Sequence, residues 1–278
     1  MDDTTGRRRR FAEAAREERP DLALLCLLIA AEADPEAGEA AVDAAQIELD
    51  RLAGLLPALG RHAEPRQWAE ALAGLLGERC GFHGSPVDYR RLESSLLGEV
   101  LRRRRGLPIL LSVVWMEVAR RAGAPVYGVA LPGHFVVGFG NPFGRHLLAD
   151  PFEGGRPLSD EDAGLLVAGA TGTPLAPSMF SPAETLEIVL RVLNNIRAWA
   201  AARPERSDVQ LWAVELSLLL PTHPARLRYE RAELLVERGD FVGGAHEMEE
   251  YAEVLESVEP AVAESVRRQA RAARAMLN

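Results

Sequence analysis

Few residues in this chain can do chemistry, and two of them are spaced to act together. His134 and Asp150 flank the tract Gly140-Asn-Pro-Phe-Gly144, whose composition is that of a turn. A hairpin folded about Pro142 sets opposite one another residues whose numbers sum to 284, and His134 with Asp150 is such a pair. Directly opposed side chains lie about 5 Å apart at Cβ, within reach of a hydrogen bond from imidazole to carboxylate. An imidazole oriented by a carboxylate is the base half of a hydrolytic triad. An ordinary half-buried strand histidine and a turn aspartate before Pro151 would carry the same spacing, so the pattern alone leaves both readings open.

The remaining reactive residues show less pattern. Cys26 lies in an apolar helix, where a free cysteine behaves as a small hydrophobe, and Cys80 sits in the loop-like Cys-Gly-Phe-His. Neither forms a CxxC or a Cys/His metal spacing, and His62, His83, His146, His223 and His246 show nothing like HExxH. Gly154-Gly155 reads as a turn, not a phosphate loop. No metal and no cofactor are expected. Arg102 to Arg105 end a helix, where positive charge complements the dipole and a solvated face is the plain reading.

The elements that must position the pair are legible from periodicity. Asp21 caps a helix from Leu22, and Asp34-Pro35 is expected to cap the next, with Val42, Ile47, Leu49, Leu52, Leu55 and Leu56 as its apolar stripe up to Pro57. Amphipathic stretches follow at Trp68 to Leu76 and over Leu92, Leu96, Leu97, Val100 and Leu101. Pro108 starts a helix carrying Leu111, Val114, Trp115 and Val118, which Gly123 stops. Strand-length segments come next at Val126 to Leu131, His134 to Phe139 and His146 to Ala149. After a Gly- and Pro-rich stretch from Gly164 to Pro182 the chain is helical to its end. Gly239-Asp240-Phe241 joins paired helices there in the manner of degenerate tetratricopeptide-like repeats.

The predicted fold is therefore α+β and mostly helical, with a small antiparallel sheet. It divides into a helical lobe over 1–105, an α+β core over 106–180 and a helical-repeat tail over 181–278. The 278 residues suffice for a sizeable core without disulfides, and two distant cysteines suit a reducing compartment. Arg7 to Arg10 lead into a charged helical segment instead of an export signal, and the apolar run Leu22 to Ala31 falls short of the ~20 residues that span a bilayer. A cytoplasmic protein without membrane attachment is expected.

The formal charge of −9 argues against nucleic acid as a partner. Between Tyr229 and Ser265 eleven acidic residues face Arg231 and Arg238 alone, so a protein or peptide with a complementary basic segment is the expected partner. Every permanently charged basic residue is an arginine, and without lysine the chain cannot be its own donor in an isopeptide reaction.

Five blocks resemble the SirB-type transglutaminase-like family: Leu22-Ala-Leu-Leu-Cys-Leu-Leu-Ile-Ala-Ala-Glu, Arg105-Gly-Leu-Pro-Ile-Leu-Leu-Ser, Leu131-Pro-Gly-His-Phe-Val-Val, Asp150-Pro-Phe-Glu-Gly-Gly and Val192-Leu-Asn-Asn-Ile. The resemblance implies a papain/transglutaminase-like core followed by a tetratricopeptide-like tail. It also implies a catalytic His at His134 and Asp at Asp150, with a cysteine nucleophile at or next to Pro108. This chain has no thiol there. Proline supplies neither a nucleophile nor an N–H for an oxyanion. Ser112, one helical turn beyond, is the substitute within reach, although a mid-helix serine more often bonds its own i−4 carbonyl. The leading expectation is a non-catalytic binding or scaffold protein, a pseudoenzyme; the rival is an acyltransferase or hydrolase using His134 and Asp150 with an unrecognised nucleophile or as a general base.

Overall fold

The computed structural model describes residues 3–36, 38–60 and 63–276. Contacts divide the chain into two compact units, Met1–Arg7 with Glu17–Val192 and Arg8–Arg16 with Leu193–Asn278. Among the described residues no helix is long and apolar enough to cross a membrane.

The first unit is organised around one helix. After α1 (Asp3–Ala14), which the two units share, and α2 (Leu22–Ala33), α3 (Gly38–Ala53), α4 (Pro65–Leu72) and α5 (Leu97–Arg103) of the first, comes α6 (Pro108–Arg121), buried from Pro108 to Ala119. A helix apolar on every face must sit at the centre. Asp21 caps α2 as expected, accepting from the Leu24 amide at 2.9 Å. Asp34 does not cap α3. Its own N–H closes the last turn of α2 on the Ala30 carbonyl, and α3 starts at Gly38. The α3 stripe is correspondingly Val42, Ala45, Leu49 and Leu52, with Ile47 turned to solvent. The stretch from Trp68 continues beyond α4 as a π-helix over Ala73–Arg79, and Leu92–Ser95 is a 3₁₀ turn separate from α5.

Four antiparallel strands follow in meander order: β1 (Val126–Val129), β2 (Val136–Gly140), β3 (His146–Asp150) and β4 (Arg156–Leu158). β2 is apolar throughout because both sheet faces are covered. α6 packs on β1 and β2. Val136, Leu148 and Leu158 pack with Ala163 and Val167 of α7 (Asp160–Thr171). Neither α7 nor β4 is anticipated by the sequence pattern. α7 falls in the Gly-rich stretch, where its start signal is the capping box of Ser159 and Asp162.

α8 (Thr185–Ala201) leads into the second unit, with α9 (Ser207–Leu219), α10 (Arg226–Glu237), α11 (Phe241–Leu255) and α12 (Pro260–Ala275). One of its core clusters is alanine-rich: Ala232, Ala245, Ala252, Ala263, Ala270 and Ala273 surround Met248 and Val266. Small residues let helix axes approach closely, as paired repeats require. The acidic stretch here is partly neutralised. Arg267 pairs with Glu256, Arg271 with Glu264 and Arg274 with Glu249, all from the end of α12, beyond Ser265.

Candidate functional site

His134 is delivered by a turn. Leu131-Pro-Gly-His134 closes with the His134 amide donating to the Leu131 carbonyl at 3.2 Å. Pro132 pre-sets the first central residue, and Gly133, at φ +74°, supplies the left-handed second one that a type II turn demands. His134 thus sits two residues before β2. Asp150 ends β3, and its buried carboxylate does two jobs. Oδ2 accepts from His134 Nε2 at 2.8 Å, while Oδ1 accepts from the Phe152 amide at 2.9 Å and caps the 3₁₀ turn Pro151–Glu153. With Nε2 donating to the carboxylate, Nδ1 is the ring nitrogen left to face a ligand.

The pair meets, but in another register. Val137 faces Ala149 and Gly140 faces His146, so opposed residues sum to 286 and Asp150 belongs opposite Val136. The hairpin has slipped by two residues from the predicted arrangement. A slip of one would have sent the side chains to opposite faces, whereas a slip of two keeps the face and makes the contact diagonal.

Aromatic rings line one side. Phe152 meets His134 edge-on at 6.0 Å between centroids, and Tyr89, half exposed, lies 6.1 Å from Phe152. Phe152 packs where Gly84 has no side chain: a Cβ there would stand 2.0 Å from the ring, and the Gly84 amide donates to the Phe152 carbonyl at 2.9 Å. Tyr89 is carried by a segment that Arg105 staples. The guanidinium reaches Ser85 Oγ at 2.7 Å and Asp88 Oδ2 at 3.1 Å. Burial pushes the Asp88 carboxyl up, yet the bonds from Arg105 and Ser85 outweigh it and hold the group below its usual range. Arg104 is likewise committed, pairing with Glu48 and stacking over Phe82. Arg105 and Arg104 are therefore structural, and of the four arginines only Arg102 lies on the solvated face that the sequence suggested, paired with Glu99.

The start of α6 holds no nucleophile. Leu107 and Pro108 are buried, and the Leu107 amide is bonded to the Ser94 carbonyl at 2.9 Å. Ser112 is fully buried and donates to the Phe135 carbonyl at 3.2 Å, not to its own i−4 carbonyl and not to His134. It is sealed from any substrate. Burial pushes the Cys26 thiol far up, with Glu117 and Asp21 adding to the rise, and Cys80 follows the π-helix. Among the described residues no group of three or more His, Cys, Asp or Glu could hold a metal ion; His62 lies outside them.

Three site residues escaped the sequence reading: Tyr89, Phe152 and Arg191. Arg191, on α8, donates from Nη2 to the Leu131 and His134 carbonyls, each at 2.8 Å, and lies 5.6 Å from the Phe135 ring centroid. Its signal was an arginine set within the apolar run from Leu186 to Ile196. Phe152 lay inside a block already quoted, but nothing local says which face it takes.

Likeness to other proteins can now be placed on this geometry. Residues 43–194 match the transglutaminase-like superfamily, and residues 196–278 match the tetratricopeptide repeat. A UPF0162 protein of Xylella fastidiosa is 32% identical over 187 residues, 66% of each chain. A UPF0162 protein of Pseudomonas aeruginosa is 34% identical over 194 residues, 68% of each chain. F-box only protein 21 of Mus musculus is 23% identical over 169 residues, 58% of this chain and 26% of that protein. The match thus spans about two thirds of the UPF0162 relatives and about a quarter of the F-box protein.

Proposed function

We propose a binding function for this chain, which belongs to the transglutaminase-like superfamily and carries tetratricopeptide repeats behind that core. One observation carries the reading. The base and its orienting carboxylate are bonded at 2.8 Å, while the start of α6 presents buried Leu107 and Pro108 instead of a thiol. A general base without a nucleophile can still hold a ligand through Nδ1 and the flanking rings of Phe152 and Tyr89. In this reading the helical lobe 1–105, which supplies Tyr89, and the core 106–180 frame a cleft, and the tail 181–278 docks a protein partner. The acidic excess on α11 favours a basic segment in that partner. The two free cysteines support a reducing compartment, the cytoplasm, as its place of work.

The rival, an acyltransferase or hydrolase, draws on the same His134–Asp150 bond. Treating the full chain with iodoacetamide and with a fluorophosphonate separates the two. The binding reading expects no serine adduct, and slow labelling of Cys80 that His134→Ala leaves unchanged. A stoichiometric adduct that disappears in His134→Ala would establish an activated nucleophile and overturn the reading.

A further inference from the structure

We infer that the surface beside His134 receives a carboxylate on an apolar stem, with Arg191 as the cation that recognises it; the inference deepens the binding reading above and rests on it. Its basis is a charge without a counter-charge. Arg191 is partly buried, and among the described residues no carboxylate pairs with it. Arg104, Arg105 and Arg156 of the same unit each have one: Glu48, Asp88 and Glu153. Arg191 has two carbonyls and the Phe135 ring, both bonds coming from Nη2. Nε and Nη1 make no bond within the described chain, so two donor nitrogens are left over. Each of the two-pronged edges of a guanidinium includes Nη2, which the carbonyls occupy, so these donors diverge and each can give one charge-assisted bond to a carboxylate oxygen.

Location ties the cation to His134. Nη2 is bonded to the carbonyl of His134 itself. Burial lowers the pKa of Arg191, and Tyr89 opposes that effect; partial burial raises the Tyr89 hydroxyl, with Asp150 adding and Arg191 opposing. Tyr89, Asp150 and Arg191 therefore share one electrostatic neighbourhood. A desolvated cation is costly to keep, and an anion arriving beside it offsets that cost. Asp150 bonds His134 and the Phe152 amide and makes no pair with Arg191 among the described residues. Its charge does limit what enters: a single-charged carboxylate fits one arginine, whereas a phosphate dianion meets the Asp150 charge with only one cation against it. The rings of Phe152 and Tyr89 supply the apolar wall for the stem.

The test uses the full chain and three small probes of one shape: 3-phenylpropionate, its amide, and phenyl phosphate. Resonances of the His134 and Tyr89 rings are followed during each titration. The inference expects saturable shifts with the acid, at least tenfold weaker binding of the amide, and no preference for the phosphate. Arg191→Gln should weaken the acid at least tenfold, with Arg191→Lys between. Equal affinity for acid and amide overturns it, as does an acid that leaves both rings unmoved or a phosphate that binds more tightly. Because Arg191 also braces the His134 turn, the acid-against-amide comparison on the unmutated protein decides the matter even if Arg191→Gln unfolds. A His134-dependent covalent adduct refutes the binding reading without touching the acid preference, so the two failures are told apart.

Discussion

Removing the Asp150 carboxylate should cost far more than a strand-end aspartate normally would. In Asp150→Ala the Phe152 amide loses its side-chain acceptor, a cap loss of about 1 kcal/mol. His134 Nε2 loses its partner in a site where the side chain is only 12% exposed, which costs roughly 1–3 kcal/mol. The two oxygens serve different donors, so the losses nearly add, to about 2–4 kcal/mol. Asp150→Asn behaves differently. Its Oδ1 still accepts from Phe152, and its amide can donate to Nε2 if the imidazole proton moves to Nδ1. The expected cost is about 1 kcal/mol, together with a tautomer switch. Urea unfolding followed through buried Trp115 of α6 measures the first effect, and ¹⁵N shifts of the His134 ring measure the second. An Asp150→Ala cost below about 0.5 kcal/mol, or an unchanged tautomer in Asp150→Asn, would refute the reasoning.

Three further outcomes are expected. The bond from Arg51, helped by Arg104 against the opposing effect of burial, lowers the Glu48 carboxyl to about 2. A depressed carboxylate stabilises the fold above its unfolded pKa and loses that contribution as pH falls through the folded one. The stability difference between the wild type and Glu48→Gln, about 1 kcal/mol for so exposed a network, should therefore be whole at pH 7 and shrink from about pH 4.5 towards pH 2, as urea midpoints at several pH values would report. Gly84→Ala should displace the Phe152 ring, destabilise by roughly 1–3 kcal/mol and shift the His134 resonances; unchanged resonances would show that the ring does not hold the imidazole. In the tail, binding of an arginine-rich octapeptide should weaken between 0.1 and 1 M salt, as the Debye length falls from about 10 to 3 Å. Glu250→Arg with Glu253→Arg should abolish it, while Glu249→Arg also breaks the Arg274 pair and is the less clean variant.

Local signals located most elements, and non-local packing decided what they missed. Asp21, Pro108 and Gly123 marked helix limits because capping and proline geometry act over three or four residues. The face shared by His134 and Asp150 was legible because strand parity survives a slip of two, whereas the register itself depended on a turn that the Pro142 symmetry misplaced. Asp34 looked like a cap for the following helix when its amide was closing the previous one. β4 has three residues, too few for periodicity to register. Tyr89, Phe152 and Arg191 come from three separate segments, so only the fold brings them together. The acidic stretch ends at Ser265, just short of the α12 arginines that answer it.

The His134–Asp150 bond is weak evidence for catalysis, and its geometry explains why. Asp150 would be kept in place by folding alone: it ends β3, caps the Pro151 turn and holds the Phe152 amide, and the turn that carries His134 is braced independently by Arg191. Each of these contacts serves the hairpin whether or not a substrate ever arrives. A pair so well held shows what the scaffold preserves, not what the site does. Arg191 differs in kind. Bracing two carbonyls requires donors but not a charge, and a neutral amide side chain could bond them without the desolvation that a guanidinium incurs. The Phe135 ring answers part of that charge, and among the described residues no carboxylate answers the rest, which is why the acid-against-amide comparison discriminates where mutation of the His134–Asp150 pair cannot.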